Sequence, residues 1–111
     1  MIHSKAILRL AALVLAAADS GCGTDCYSLS VDECAESAHE CSFIEAGRIR
    51  NGAACAEALT PVGCHDRGTD CGLLITYARK PGGDLWQFRD TCTAKGWTVE
   101  MPNTPFELCT D

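Results

Sequence analysis

The sequence predicts a small disulfide-rich α+β domain in which one short helix packs on a small antiparallel sheet. Three observations lead to this fold class. Nine of the 111 residues are cysteine, a density typical of small domains that are crosslinked in an oxidising compartment. A helical periodicity of apolar residues covers residues 31 to about 41. Two β-rich runs flank a Pro-Gly-Gly turn and predict a hairpin at about residues 72–90.

The first 18 residues have the layout of a secretory signal peptide. Lys5 and Arg9 precede an apolar run at residues 10–18, which ends in three alanines that suit signal peptidase. The run is shorter than the roughly 20 apolar residues that span a membrane. We therefore expect residues 1–18 to be removed and residues 19–111 to form a single cysteine-rich domain, located outside the cell or in a periplasm.

Cys22 offers an alternative processing site. Gly21 and Ser20 suit a bacterial lipobox that is cut before Cys22, whereas Asp19 stands where such a motif carries an apolar residue. Lipidation would anchor the protein to the cell envelope and would leave an even number of cysteines for disulfides. A membrane is therefore an expected partner only if Cys22 is lipidated; otherwise Cys22 is the odd cysteine.

The other eight cysteines are the candidates for disulfide bonds. They are Cys26, Cys34, Cys41, Cys55, Cys64, Cys71, Cys92 and Cys109. Eight cysteines allow 105 pairings, so the spacing alone leaves the connectivity open. Zinc is the rival interpretation, but the chain has no C-x-x-C knuckle and only two histidines after the leader. We therefore expect no metal site and no cofactor.

The helix prediction begins at a capping box. Ser30 is the N-cap and Glu33 is the third helical residue. After this cap, apolar residues and cysteines recur at helical spacing, which predicts a helix over residues 31 to about 41. Cys34 and Cys41 would then lie about 10.5 Å apart along the helix. A disulfide allows roughly 7 Å between Cα atoms, so each of the two should pair elsewhere.

The hairpin prediction includes a register and one disulfide. A four-residue turn at residues 80–83 pairs Arg79 with Asp84. Three further pairs follow from that register: Tyr77 with Trp86, Ile75 with Phe88, and Cys71 with Cys92. One face of the hairpin, to which Leu73 also belongs, should then be apolar, and Cys71 should be bonded to Cys92.

The remaining segments give shorter predictions. Residues 42–50 read as a strand with Phe43 and Ile44 inward, and residues 50–54 as a turn around Asn51-Gly52. Residues 53–59 suggest a helical turn, residues 60–64 an extended piece, and residues 96–100 a third strand. Residues 101–109 read as coil that Cys109 ties down.

The cysteine spacing resembles that of a group of secreted proteins. The pattern Cys26-x₇-Cys34-x₆-Cys41, followed by PVGC and CGLLITYARKPGGDLWQFRDTCTAKGWT, is similar to small secreted cysteine-rich proteins predicted in myxobacterial genomes. The resemblance covers most of residues 26–98 and implies an exported, disulfide-bonded domain, often a lipoprotein. It implies no activity and no site residues. Members commonly carry a further cysteine near Leu85, so their disulfide pairing does not transfer to this chain.

The net negative charge of residues 19–111 excludes some classes of binding partner. The leader holds two basic residues and no acidic one, so residues 19–111 keep fifteen acidic and seven basic side chains, a formal charge of −8. Such a surface repels nucleic acid and anionic bilayers. Because no arrangement of residues indicates catalysis, we expect a non-catalytic binding or surface module for an unknown protein or small-molecule ligand, and no enzyme. The alternative is a secreted protease inhibitor with an exposed loop, RNGAAC, around Arg50.

Overall fold

The computed structural model describes residues 25–110, and within them it confirms the small disulfide-rich α+β class. The predicted leader and Cys22 lie outside the described residues. The elements are a 3₁₀ turn, Cys26–Ser28; one helix, α1, Val31–Glu36; and seven strands, β1 Cys41–Arg50, β2 Cys55–Ala56, β3 Thr60–Asp66, β4 Thr76–Arg79, β5 Leu85–Phe88, β6 Thr98–Val99 and β7 Glu107–Leu108.

The long strand β1 is the centre of the sheet. The strand order is β6-β4-β5-β1-β2-β7, and β3 also pairs with β1. Ala46 of β1 has a partner on each side, Thr60 of β3 and Phe88 of β5, so β2 and β3 follow one edge of β1 and β5 follows the other. Every pairing is antiparallel except that of β2 with β7.

Each face of the sheet carries its own apolar cluster. One cluster consists of Ile44, Ala46, Ala78, Phe88 and Ala94, with Trp86 and Trp97 packed against it. The other consists of Ile49, Ala56 and Tyr77, with Leu85 and Phe106. Successive side chains of a strand point to opposite faces, which is why the neighbours Tyr77 and Ala78 belong to different clusters. Edge-to-face aromatic contacts, 5.6 Å between ring centroids for Phe88 and Trp97, join the strands to the following loop.

Two buried disulfides fasten the N-terminal segment to the sheet. Cys26 is bonded to Cys41 of β1, and Cys34 of α1 is bonded to Cys64 of β3. All four side chains are at most 2% exposed. The expectation that Cys34 and Cys41 pair with other cysteines is therefore confirmed, and a cluster of sulfur atoms serves as the core beneath α1.

The helix is shorter than its periodicity suggested. Both halves of the predicted capping box are present between Ser30 and Glu33, but α1 ends at Glu36 rather than near residue 41. At its end the Ser37 N–H donates to the Cys34 carbonyl, three residues back, which tightens the last turn. Cys41 already belongs to β1, because its pairing with β3 and its bond to Cys26 compete with further helix.

The hairpin forms, but its predicted register was wrong by one residue. The observed pairs are Arg79 with Leu85, Ala78 with Trp86, Tyr77 with Gln87, and Thr76 with Phe88. The cause is the turn. The Lys80 N–H donates to the Asp84 carbonyl at 3.0 Å, so three residues rather than four form the connection, with Gly82 in the left-handed region at φ +69°.

The one-residue shift redistributes the aromatic side chains. Tyr77 lies on the face opposite Trp86 and Phe88, and its hydroxyl donates to Gln87 Oε1 at 2.7 Å. The predicted inward pair on β1 is also corrected, since Ile44 is buried and Phe43 is 39% exposed. Adjacent strand residues cannot both face one core. Residues 55–56 form strand β2 instead of the suggested helical turn, because Cys55 pairs with Arg50.

Candidate functional site

The strongest candidate for a contact surface is a short loop that precedes β4. Leu73, Leu74 and Ile75, here called the apolar loop, are 94%, 65% and 45% exposed. The sequence predicted that Leu73 and Ile75 share an apolar face of the hairpin with Trp86 and Phe88, and this prediction was wrong. A run of three large apolar side chains in solvent is unusual for a domain of this size, because a soluble chain normally buries such residues.

The exposure of the apolar loop follows from its length. Gly72 and Thr91 exchange hydrogen bonds in the register that the sequence predicted, and Thr76 pairs with Phe88 in the observed register. Three residues therefore connect Gly72 to Thr76, whereas two connect Phe88 to Thr91. The extra residue cannot stay in the ladder, so the loop bulges away from the sheet.

Both ends of the apolar loop are held in place. The Cys71–Cys92 disulfide, which the sequence predicted, closes the end before Gly72. The Gly72 N–H donates to Thr91 Oγ1 at 2.7 Å, and the Thr91 N–H donates to the Gly72 carbonyl at 3.1 Å. At the other end the Thr76 hydroxyl donates to the Leu74 carbonyl at 3.0 Å. The loop is thus exposed in its side chains and fixed in its backbone.

A polar cleft of about 380 Å³ adjoins the disulfide. Its charged side chains are Glu45, Asp70, Arg89 and Asp90, and His65 also lines it. Arg89 donates to Glu45 at 3.1 Å, and the Cys92 N–H donates to Asp90 Oδ1 at 3.0 Å. The cleft thus holds three carboxylates and one guanidinium next to the disulfide that closes the apolar loop, in keeping with the acidic character of the chain.

Arg50, the candidate of the inhibitor hypothesis, lies at the end of β1. Its backbone pairs with Cys55, and its Nε atom lies 3.2 Å from the Glu57 carboxylate. The turn that follows, residues 51–54, is exposed, with positive φ at Gly52 and Ala54. A groove of about 620 Å³ separates this turn from the C-terminal residues 104–110.

The eight candidate cysteines form four disulfides. Besides the three bonds already described, Cys55 of β2 is bonded to Cys109, which ties down the C-terminal segment as expected. Two groups of potential metal ligands lie close together among the described residues: Cys26, Cys41 and Cys64, and His65, Cys71 and Cys92. All five cysteines are oxidised, and a metal ion requires a thiolate, so neither group is a metal site in this state.

Two arginines of the sheet, Arg79 and Arg48, form ion pairs that shift pKa values. Arg79 of β4 donates to both carboxylate oxygens of Glu100, at 2.7 and 2.9 Å, and this bidentate contact holds the pKa of Glu100 below its ordinary value. Arg48 donates to Asp84 and to Glu57, and the bond to Asp84 is the first cause of its raised pKa. These three pairs link neighbouring strands or the residues that flank them, so they support the fold.

Comparison with known proteins adds no relative: no family model, no curated protein and no solved structure matches the chain. Within residues 25–110, no helix has the length and apolar character needed to cross a membrane. Four disulfides in so small a domain fit an extracellular location.

Proposed function

We propose that the protein is an exported, disulfide-stabilised, non-catalytic binding module and that the apolar loop is its contact element. The observation that carries this proposal is the combination of exposed side chains and a fixed backbone at Leu73, Leu74 and Ile75. Exposed contiguous apolar surface marks interaction sites. A loop that is already ordered loses little conformational entropy on binding.

The partner that fits this loop is a protein with an apolar pocket bordered by basic side chains. Full burial of a leucine or isoleucine side chain contributes about 1.5–3 kcal/mol. The three side chains of the loop could therefore supply most of the binding free energy, as a few residues do in typical protein interfaces. The carboxylates next to the disulfide that closes the loop and the charge of −8 for residues 19–111 favour a basic rim. The same charge disfavours an anionic bilayer as the partner.

The proposed location is outside the cell or in a periplasm, with a lipid anchor on the cell envelope as the alternative. The disulfides support an oxidising compartment, and the leader composition of residues 1–18 supports export. The mass of the protein purified from its own host distinguishes the two locations. An N-terminus at Asp19 indicates a free protein, whereas a diacylated Cys22 indicates an anchored one.

The test places a photo-crosslinking amino acid at Leu74 in the protein expressed in its own host. We expect one discrete crosslinked product, which excess unlabelled protein abolishes and an excess of the Leu73→Ser/Leu74→Ser variant does not. The matched control carries the crosslinker at Leu108, which is 68% exposed and lies on β7. Equal crosslinking from both positions, or equal competition by the variant, would contradict the proposal.

Two further experiments, vesicle flotation and a screen for substrate turnover, can contradict the proposal. Flotation with neutral phosphatidylcholine vesicles that depends on Leu73 and Leu74 would show a lipid rather than a protein as the occupant. Turnover of any substrate by the folded protein would contradict the non-catalytic part of the proposal.

The second candidate is a protease inhibitor, which the exposed turn at residues 51–54 next to the Cys55–Cys109 bond supports. We rank it second because the Arg50 guanidinium contacts Glu57, whereas an inhibitor presents its primary side chain to the protease. Stoichiometric inhibition of a trypsin-like protease that Arg50→Ala abolishes would favour this function. Cleavage after Arg50 without inhibition would dismiss it.

A further inference from the structure

We propose that Cys71–Cys92 is a thiol–disulfide exchange site, in which His65 serves as the proton donor to the departing sulfur. The reaction partner is a small thiol or dithiol. The inference concerns the bond itself and stands whether or not the apolar loop binds a protein. The inference rests on two differences among the four disulfides: how far their sulfur atoms are exposed to solvent, and which side chains and clefts lie next to them.

Accessibility separates the four disulfides into two pairs. The sulfurs of Cys26–Cys41 and Cys34–Cys64 belong to side chains that are 1–2% exposed. Cys71–Cys92 and Cys55–Cys109 are partly exposed. A reductant must reach a sulfur atom along the axis of the bond that breaks, so the two buried disulfides are protected. The exchange site is therefore one of the two exposed bonds.

The surroundings then favour Cys71–Cys92. A ring nitrogen of His65 and the sulfur atoms of Cys71 and Cys92 all lie within 4.8 Å of one another. Among the described residues, the groups with three ligand atoms this close include Cys71 and Cys92 but neither Cys55 nor Cys109. Cys92 lines a cleft of about 300 Å³ and Cys71 lines a cleft of about 380 Å³, and His65 lines both. They give a small thiol room to approach.

The hydrogen bonding of His65 suits the role of proton donor. Its Nδ1 atom lies 2.8 Å from the carbonyl oxygen of Asp66. Since a carbonyl oxygen only accepts, Nδ1 carries a hydrogen in this contact and Nε2 is left for a hydrogen bond to another group. The charged side chains that line the two clefts are Asp25, Glu45, Asp66, Asp70, Arg89 and Asp90. Carboxylates predominate, and none of them can protonate a thiolate as readily as an imidazolium can.

The reaction balances with a dithiol as the reductant. A thiolate of the dithiol attacks one sulfur of the Cys71–Cys92 bond, which breaks, and the electron pair leaves on the other sulfur, which takes a proton from the His65 imidazolium. The second thiol of the reductant then attacks the mixed disulfide and releases the first protein sulfur as a thiol. Two electrons and two protons pass to the protein, the reductant becomes a disulfide, and His65 regains its proton from solvent. The three other disulfides keep the fold.

The test compares two disulfides within one molecule. The oxidised protein purified from its own host is treated with dithiothreitol for short times, alkylated, and digested for mass spectrometry. We expect Cys71–Cys92 to open at least about tenfold faster than Cys55–Cys109, since proton donation to a leaving group commonly contributes a factor of this size or more. Equal rates, or faster opening of Cys55–Cys109, would overturn the proposal.

Two variants decide whether His65 donates the proton. His65→Ala should reduce the ratio of the two rates to about one, and imidazole added to the buffer should restore much of it without affecting Cys55–Cys109. Loss of packing alone would not respond to imidazole. His39→Ala, at an exposed position beside Cys41, is the matched control and should leave the ratio unchanged. A ratio that His65→Ala leaves intact, or that imidazole does not restore, would overturn the assignment of His65.

Discussion

Gly47 of β1 has no room for a side chain. A β-carbon there would collide with the backbone carbonyl oxygen of Glu57, because the chain between β2 and β3 crosses close to β1 and the Glu57 N–H donates to the Arg48 carbonyl at 2.9 Å. Glycine is needed here for close approach of two backbones rather than for its φ angle.

Gly47→Ala should therefore lower the free energy of unfolding by about 1–3 kcal/mol, the usual cost of inserting a methyl group where none fits. Urea denaturation followed by tryptophan fluorescence measures it. The matched control is Gly68→Ala, where a β-carbon would meet nothing within 4 Å; its effect should stay within about 0.5 kcal/mol. Equal stability of the two variants would mean that the chain does not cross β1 as described.

At the scale of elements, the sequence predicted which helix and hairpin form better than it predicted how the strands of the hairpin are aligned. The capping box of α1 and the hairpin both rest on contacts within a few residues, and both are present. The hairpin register depends on whether three or four residues make the turn, and both choices suit a Pro-Gly-Gly sequence. The exposed apolar loop follows from that register, so no local signal could have identified it.

The contact between β4 and the residue after β6 gives a prediction about pH. Arg79 lowers the pKa of Glu100 in the folded protein, so this ion pair stabilises the fold above the ordinary carboxyl pKa and loses its effect as the pH falls through the lowered value. Glu100→Gln should unfold at a lower temperature than the parent protein at pH 7, and the difference should close in acid. The exposed Glu107→Gln variant is the control. A difference that persists at the lowest pH would contradict the pairing.

At the scale of the whole molecule, disulfides replace much of the hydrophobic core. Each contributes about 2–4 kcal/mol by restricting the unfolded chain, more for longer loops, and the four here close loops with sequence separations from 15 to 54. The sequence identified the set of eight cysteines and one bond, Cys71–Cys92, which lies across a hairpin. Cys34–Cys64 depends on β3 returning to β1, and Cys55–Cys109 depends on the C-terminal segment returning to β2; such distant contacts leave no local signal. Cys26–Cys41 depends on the chain leaving the helix at Glu36 instead of continuing to residue 41.

The most direct test of this account is disulfide mapping of the unreduced protein purified from its own host. Peptide mass spectrometry should find Cys26 bonded to Cys41, Cys34 to Cys64, Cys55 to Cys109 and Cys71 to Cys92. Any other pairing among these eight cysteines, or reactive thiols in the freshly isolated protein at the six cysteines of the bonds other than Cys71–Cys92, would contradict a fold that covalent sulfur bonds hold together.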